Sequence, residues 1–195
     1  MVINPSVPAK TVPEFIGYAK ANPGKINMAS GGAGSAPHVL GELFKMMAGI
    51  NIVNVPYRGP APAFTDLISG QVQVMFVALP AAIGYIRAGE LRALAVTSAS
   101  RSSELPDVPA VAEFVQAYEA SGWIGIGAPR GTPAAIIDKL NSNIAAGLAD
   151  PEVKARIKGL GADPMPMTPT QFGALMGDET EKWAKVVKFA GIRAE

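Results

Sequence analysis

Short apolar segments alternate with helical segments between residues 2 and 98, and this alternation constrains the fold more than any other feature of the chain. It is typical of an α/β fold, an open and mainly parallel sheet whose strands are joined by crossover helices. The predicted strands are Val2–Asn4, Ile26–Ala29, Ile52–Val55, Val72–Val77 and Leu91–Thr97. The predicted helices run from Thr11 to about Ala21, from Ser35 to about Ala48, from Pro60 to Gly70 and from Pro80 to just before Gly89.

In the last third of the sequence, strands and helices no longer alternate. A polar, proline-containing connection follows Ser98, and the apolar segment Ser121–Ala128 predicts one further buried strand that contains Trp123, Ile124 and Ile126. Three amphipathic helices then begin near Thr132-Pro133, Asp150-Pro151 and Thr168 or Thr170. These helices have no sheet of their own. Either they pack on the first sheet, or a segment absent from this sequence supplies a second one.

Composition excludes several classes of function. With 49% hydrophobic and 17% charged residues the chain is globular, and its net charge of +1 comes from 17 basic and 16 acidic residues without a basic block, so nucleic acid is not an expected partner. The absence of Cys and the single His exclude thiolate zinc and multi-histidine sites, and no cofactor or metal is expected. The first residues lack the pattern of a signal peptide, and the longest apolar run is interrupted by Pro80 and Gly84, so no direct membrane insertion is expected.

The glycine- and serine-rich loop Ser30–His38 joins a predicted strand to a predicted helix. Unpaired backbone N–H groups and the positive end of the helix dipole meet at such a junction and favour a bound anion. The loop lacks the Lys-Ser/Thr of a P-loop, and Pro37 stands where a dinucleotide fingerprint has Gly or Ala. The loop therefore predicts an anion or carboxylate site, with an ordinary tight turn as the alternative.

Two more loops fall at the same edge of a parallel sheet, where ligands of open α/β sheets bind. Pro56–Pro60 places Arg58 there, either to pair with a carboxylate or as a solvated side chain, and Phe76–Pro80 adds no ionisable group. Ser35 and His38 have the spacing of one helical turn, so a small α/β hydrolase with a Ser35–His38 nucleophile pair is an alternative. No G-x-S-x-G elbow supports it, and His38 is expected to be neutral.

The sequence resembles the receptors of tripartite tricarboxylate transporters, the Bug or TctC-like periplasmic solute-binding proteins. The matching stretches are Asn22–Asn27, Gly34–His38, Gly41–Phe44, Val55–Gly59, Asp66–Val72, Leu91–Ser98, Leu105–Pro109, Trp123–Pro133, Leu148–Val153 and Trp183–Lys188. The resemblance implies a type II-like two-lobe binding fold that is not an enzyme. It also implies a periplasmic location, a small organic acid as the ligand, often a carboxylate, and membrane transporter subunits as partners.

The resemblance also implies ligand-facing positions and a lobe division. The implied ligand-binding residues are Ser30, Gly31, Gly32, Gly34, Ser35, His38, Tyr57, Arg58, Gly59, Val77 and Ala78. Residues 1–120 would form one lobe, and residues 121–195 would be the C-terminal part of the other, whose N-terminal part this sequence lacks. Ala36 replaces a Thr common in the family, and Val77-Ala78 replaces an Asp-Asn pair, which indicates a less polar ligand. A further alternative is a truncated remnant that does not bind ligand and oligomerises through exposed apolar helix faces.

Overall fold

A computed structural model of the protein describes residues 1–159 and 162–193. The chain forms two compact units. Unit 1 comprises Met1–Gly122 together with the residues from Ala184 onward, and unit 2 comprises Trp123–Trp183. The long C-terminal helix contributes residues to both units, because the boundary between Trp183 and Ala184 lies within it.

Unit 1 contains a five-stranded sheet. Its strands are β1 (Val2–Ile3), β2 (Asn27–Ser30), β3 (Val53–Pro56), β4 (Val74–Met75) and β5 (Arg92–Ala93), in the order β3-β2-β4-β1-β5. Strand β2 pairs in parallel with β3 and β4, whereas β1 is antiparallel to β4 and β5. The predicted α/β fold is confirmed, but the sheet is mixed rather than mainly parallel. The last two strands are also shorter than predicted.

Four helices of unit 1 connect these strands. They are α1 (Val12–Ala21), α2 (Ala36–Ala48), α3 (Pro60–Ile68) and α4 (Leu79–Arg87). The Thr11 hydroxyl accepts the backbone N–H of Glu14 at 3.3 Å and begins α1, and Gly49 ends α2 in the left-handed conformation. The side-chain amide of Asn4 donates to the carbonyls of Leu67 and Ile68, at 2.8 and 2.9 Å, and so satisfies the end of α3.

The sheet buries apolar side chains on both faces, as neighbouring residues along a strand point in opposite directions. Ala29 and Met75 belong to a cluster with side chains of α3 and α4, among them Phe64, Leu67 and Ala82. On the other face, Phe44 of α2 is surrounded by three aromatic rings, whose centroids lie 5.6 to 6.4 Å from its own; they belong to Phe15, Phe76 and Tyr118. These two clusters fix α2, α3 and α4 against the sheet.

Unit 2 contains α5 (Ala134–Ala149), α6 (Pro151–Gly159) and the greater part of α7 (Pro169–Ala190). The predicted strand Ser121–Ala128 is wrong, because this segment forms no ladder with any described residue and is exposed throughout, with Ile124 fully accessible. An apolar segment becomes a strand only where another strand accepts its backbone hydrogen bonds. Trp123 instead packs edge-on against Phe172 of α7, with ring centroids 5.3 Å apart.

Candidate functional site

Three strand-to-helix loops of unit 1 lie at the same edge of the sheet, where the strands β2, β3 and β4 end. We call it the carboxyl edge. Because β2, β3 and β4 are mutually parallel, the residues that follow Ser30, Pro56 and Met75 all leave the sheet in one direction. The Tyr57 N–H donates to the Ser30 carbonyl at 2.8 Å and joins the first two loops. The loops that carry the sequence-predicted site residues thus follow parallel strands at one edge of the sheet. Strand β5 runs the same way and adds a fourth loop with Ser98, which the sequence analysis did not include.

The helices that start at this edge, α2, α3 and α4, share an unusual N-terminus. None has a side-chain hydrogen bond from its N-cap residue (Ser35, Gly59 and Ala78, respectively), none has an acidic residue in its first turn, and each has proline at its first or second position. By contrast, α1 has both a capping hydroxyl and an acid, Glu14. Because proline has no N–H, the backbone groups that remain for an anion are those of the other first-turn residues, such as Ala36, Ala61 and Leu79.

The first loop is held by its own polar groups. The Ser35 hydroxyl donates to the Gly32 carbonyl at 2.8 Å, and the Gly34 N–H donates to His38 Nδ1 at 3.2 Å. Gly32 and Gly34 have φ of 109° and 71°, a region that residues with a side chain rarely adopt. The glycines thus allow the backbone path of the loop, and the hydrogen bonds of Ser35 and His38 stabilise it.

The second loop carries a tyrosine, an arginine and a glycine. The Tyr57 hydroxyl donates to Asp66 Oδ2 of α3 at 2.7 Å, and burial together with this carboxylate raises the pKa of Tyr57 to about 12. Arg58 is exposed and forms no ion pair with any described residue. The sequence analysis missed Asp66 as a site residue, since no short spacing relates it to Tyr57.

The remaining site residues differ in polarity. In the third loop Val77 is half-buried against the apolar cluster and Ala78 is exposed. Ser30, which the resemblance implied to face a ligand, is fully buried at the end of β2, and its hydroxyl has no hydrogen-bond partner among the described residues. In residues 1–159 and 162–193 no three His, Asp or Glu side chains are grouped so as to hold a metal ion.

The family of the chain follows from a comparison with known proteins. The sequence model described as "Tripartite tricarboxylate transporter family receptor" matches residues 1–192. The chain belongs to this receptor family. BugT of Bordetella pertussis is 37% identical over 99% of this chain, and the chain spans 60% of BugT. No helix in the described part of this family member is long and apolar enough to cross a bilayer.

Solved structures of the receptor family have the same fold. The R. palustris protein Rpa4515, solved with adipate, has a TM-score of 0.81 and 38% identity; the match covers 98% of this chain and 64% of that one. MatC of Rhodopseudomonas palustris, solved with bound malate, has a TM-score of 0.76 and 29% identity; the match covers 95% of this chain and 65% of that one. The chain thus spans about 60–65% of these relatives.

Members of this family are solute-binding receptors and not enzymes. The geometry of Ser35 and His38 agrees with this. The Ser35 hydroxyl hydrogen is directed to the Gly32 carbonyl, and the Nδ1 of His38 is occupied by the Gly34 N–H. A nucleophile pair needs the serine hydroxyl to donate to the imidazole, so the hydrolase alternative has no support in this loop.

His38 is nearly fully buried and accepts a hydrogen bond through Nδ1, which requires this nitrogen to be unprotonated. Burial is the main cause that lowers its pKa below 6.5. The Glu42 carboxylate, 3.7 Å from Nε2, acts in the opposite direction, and Lys45 adds to the lowering. The imidazole is therefore neutral, as the sequence analysis expected.

Acidification is expected to destabilise the folded chain through His38. Its pKa is lower in the folded chain than in the unfolded chain, so the unfolded chain binds the proton more readily and stability falls as the pH drops through 6.5 and below. His38→Asn keeps an acceptor for Gly34 but does not titrate. We expect a smaller loss of unfolding free energy between pH 7.5 and 5.5 in this variant than in the wild type, measured by urea unfolding.

The comparison with the variant is needed because the Met1 amine also lowers the stability of the folded chain when the pH falls. Burial lowers the pKa of the Met1 amine, which donates to the Ala95 carbonyl at 2.9 Å, to about 5. Its effect is common to the wild type and to His38→Asn and cancels in the difference. Identical pH profiles for the two proteins would contradict the prediction for His38.

Proposed function

We propose that this chain is an extracytoplasmic, periplasmic receptor that binds a small organic anion of the carboxylate type for a tripartite tricarboxylate-type transporter. The observation that carries the proposal is the set of three helix N-termini at the carboxyl edge, which lack both capping side chains and acidic residues. A carboxylate accepts hydrogen bonds from such N–H groups and is stabilised by the helix dipoles. Membership of the receptor family, and the relatives solved with adipate and malate, support the same ligand class.

The proposed ligand contacts come from all three loops. Backbone N–H groups of Gly31 and Gly32 and of the first helical turns would bind the anion, and Arg58 would pair with it. The N–H of Gly34 donates to His38, so Gly34 would set the path of the loop. Ser30, Ser35, His38, Tyr57, Gly59, Val77 and Ala78 would shape the site. The proposed partners are membrane transporter subunits that receive the ligand from the receptor.

We also propose that residues 1–120 form one lobe of the receptor and that residues 121–195 belong to the other. The division of the chain into compact units between Gly122 and Trp123 supports a boundary there; the residues from Ala184 onward group with unit 1, so this support covers residues 123–183 of the second lobe. Helices α5 and α6 have no buried residue in the described part of the chain, which supports their assignment to a lobe other than that of residues 1–120. Closure of two lobes would remove water from the ligand and strengthen its hydrogen bonds.

Thermal unfolding with added organic acids tests the receptor proposal. Adipate, malate and citrate are compared with adipamide, a neutral analogue of adipate. We expect at least one acid at millimolar concentration to raise the melting temperature, as a ligand of the folded state must, and no change with adipamide. If none of the acids stabilises the chain, the proposal is wrong.

Ala78→Asp places a carboxylate at the N-terminus of α4, where it would compete with the ligand. We expect it to reduce the shift caused by the acid. Ala88→Asp makes the same substitution at the other end of the same helix and is expected to leave the shift unchanged. Equal shifts in the two variants would contradict binding at the carboxyl edge.

A further inference from the structure

The two tryptophans of the chain lie at the two points where it passes between the compact units. Trp123 is the first residue of unit 2 after Gly122, and Trp183 is the last residue of unit 2 before the chain returns to unit 1 at Ala184. Trp183 lies within α7, whereas Trp123 lies in the exposed segment Ser121–Ala128. The units therefore have two chain connections, and an indole marks each of them on the unit 2 side.

Glu179 of α7 interacts with both indoles. The Trp183 Nε1 donates to Glu179 Oε2 at 2.7 Å, one helical turn along α7. The indole of Trp123 acts on the same carboxylate as a hydrogen-bond donor. Lys182 forms an ion pair with Glu179 Oε1, and its Nζ lies 5.1 Å from the centre of the Trp183 ring. One carboxylate, which is only 15% exposed, thus holds both tryptophans and a lysine.

Glu179 keeps its negative charge although little of its side chain reaches water. Burial acts to raise its pKa, but the hydrogen bonds from Lys182, Trp183 and Trp123 and the positive charge of Lys182 outweigh burial and hold the pKa below its ordinary value. A hydrogen bond to an ionised acceptor is shorter and stronger than one between neutral groups. Glu179 is therefore a strong acceptor for both indoles at neutral pH.

The segment that carries Trp123 also contacts α7 through a second side chain, Phe172. The rings of Trp123 and Phe172 pack edge-on with centroids 5.3 Å apart, and a Cβ placed on Gly125 would lie 2.2 Å from Phe172 Cζ. Phe172 and Glu179 are two helical turns apart, which places them on one face of α7. The segment forms no ladder with any described residue, so contacts along this face of the helix position it.

We propose that Glu179 is the positioning residue of a hinge between the two units. It fastens the connection at Gly122 and Trp123 to α7, the helix that forms the other connection, so that the two connections change direction together. Units joined by chain connections move relative to each other unless a contact restricts them, and coupling the two connections restricts that motion. Without Glu179 the units would take up a wider range of orientations. The hinge would act in the same way whichever ligand the receptor binds.

Distances between two spin labels test the hinge, because the chain contains no cysteine that would take up a label unintentionally. Ser103→Cys in unit 1 and Asn143→Cys in unit 2 introduce labels at exposed positions. Pulsed electron paramagnetic resonance on the 195-residue chain then measures the spread of the distance between them. Glu179→Ala is expected to broaden this spread about twofold or more, since both indoles lose their acceptor. Glu181→Ala, at an exposed position of the same helix, is expected to leave it unchanged.

Tryptophan emission is the second measurement, since both tryptophans interact with Glu179. Glu179→Ala is expected to shift the emission to longer wavelength, and Glu181→Ala is not. Glu179→Gln keeps an acceptor oxygen but loses the charge, so an intermediate spread is expected; this variant decides the test if circular dichroism shows that Glu179→Ala is unfolded. Equal spreads in the Glu179 and Glu181 variants would overturn the hinge assignment, even with a shifted emission. Thermal unfolding with organic acids tests the receptor proposal separately.

Discussion

Replacing Phe44 with alanine is expected to lower the free energy of unfolding by about 3–5 kcal/mol. Phe44 is fully buried, and the rings of Phe15, Phe76 and Tyr118 surround it with centroids 5.6 to 6.4 Å away. The substitution removes most of the side-chain volume from this contact and leaves a cavity lined by these rings. Urea unfolding followed by circular dichroism measures the loss.

The matched control is Phe114→Ala. Phe114 is 43% exposed, so its truncation creates no closed cavity and is expected to cost much less than the change at Phe44. Similar losses at the two positions would show that burial among these three rings does not account for the contribution of Phe44.

Replacing Gly59 with alanine is expected to destabilise the chain by about 1–3 kcal/mol and to weaken the binding of carboxylates. Gly59 begins α3 with φ 114° and ψ 173°, a conformation that is essentially restricted to glycine. Apart from Gly59 and its two neighbours in sequence, no atom of the described residues lies within 4 Å of the position that a Cβ would take, so the cost arises from the backbone and not from a clash. Relaxation of this strain would displace the neighbouring Arg58.

Gly84→Ala serves as the control for Gly59→Ala. Gly84 lies within α4, also has open space within 4 Å of the position that its Cβ would occupy, and lacks the positive φ of Gly59. Alanine there is expected to stabilise the chain by about 0.5–1 kcal/mol because it restricts the unfolded chain and favours the helix. The measurements are urea unfolding and calorimetric titration with adipate. Equal effects of the two substitutions would contradict the special role of the Gly59 conformation.

The repeating units of the fold were predictable because their signals are local. Thr11, Gly49 and Pro60 mark helix ends, and the apolar segments before Ser30 and Pro56 mark strands. These signals also placed three loops at one edge of the sheet. The antiparallel direction of β1 was not predictable, since a strand of two residues carries no local signal for the neighbours that it will pair with.

The failures of sequence reasoning share a cause. The segment Ser121–Ala128 is apolar enough for a strand, but strand formation depends on a partner whose presence the segment itself does not reveal. The bond from Tyr57 to Asp66 and the burial of Ser30 likewise result from how β2, β3 and α3 meet in space. Composition identified which chemical groups were available at the site, and tertiary structure decided which of them were already engaged.

The N-termini of α2, α3 and α4 lack capping side chains, which lowers the stability of the free chain but leaves these ends able to bind an anion. A capping side chain at such a position typically contributes about 0.5–2 kcal/mol, and the free chain lacks this stabilisation at Ala78, whose extended backbone would accept a capping side chain. A protein engineer who sought a more heat-resistant version would choose Ala78→Asp first, because the backbone conformation of Gly59 does not tolerate a side chain. This added carboxylate would also act as a built-in inhibitor, because it would compete with the ligand's carboxylate at the N-terminus of α4.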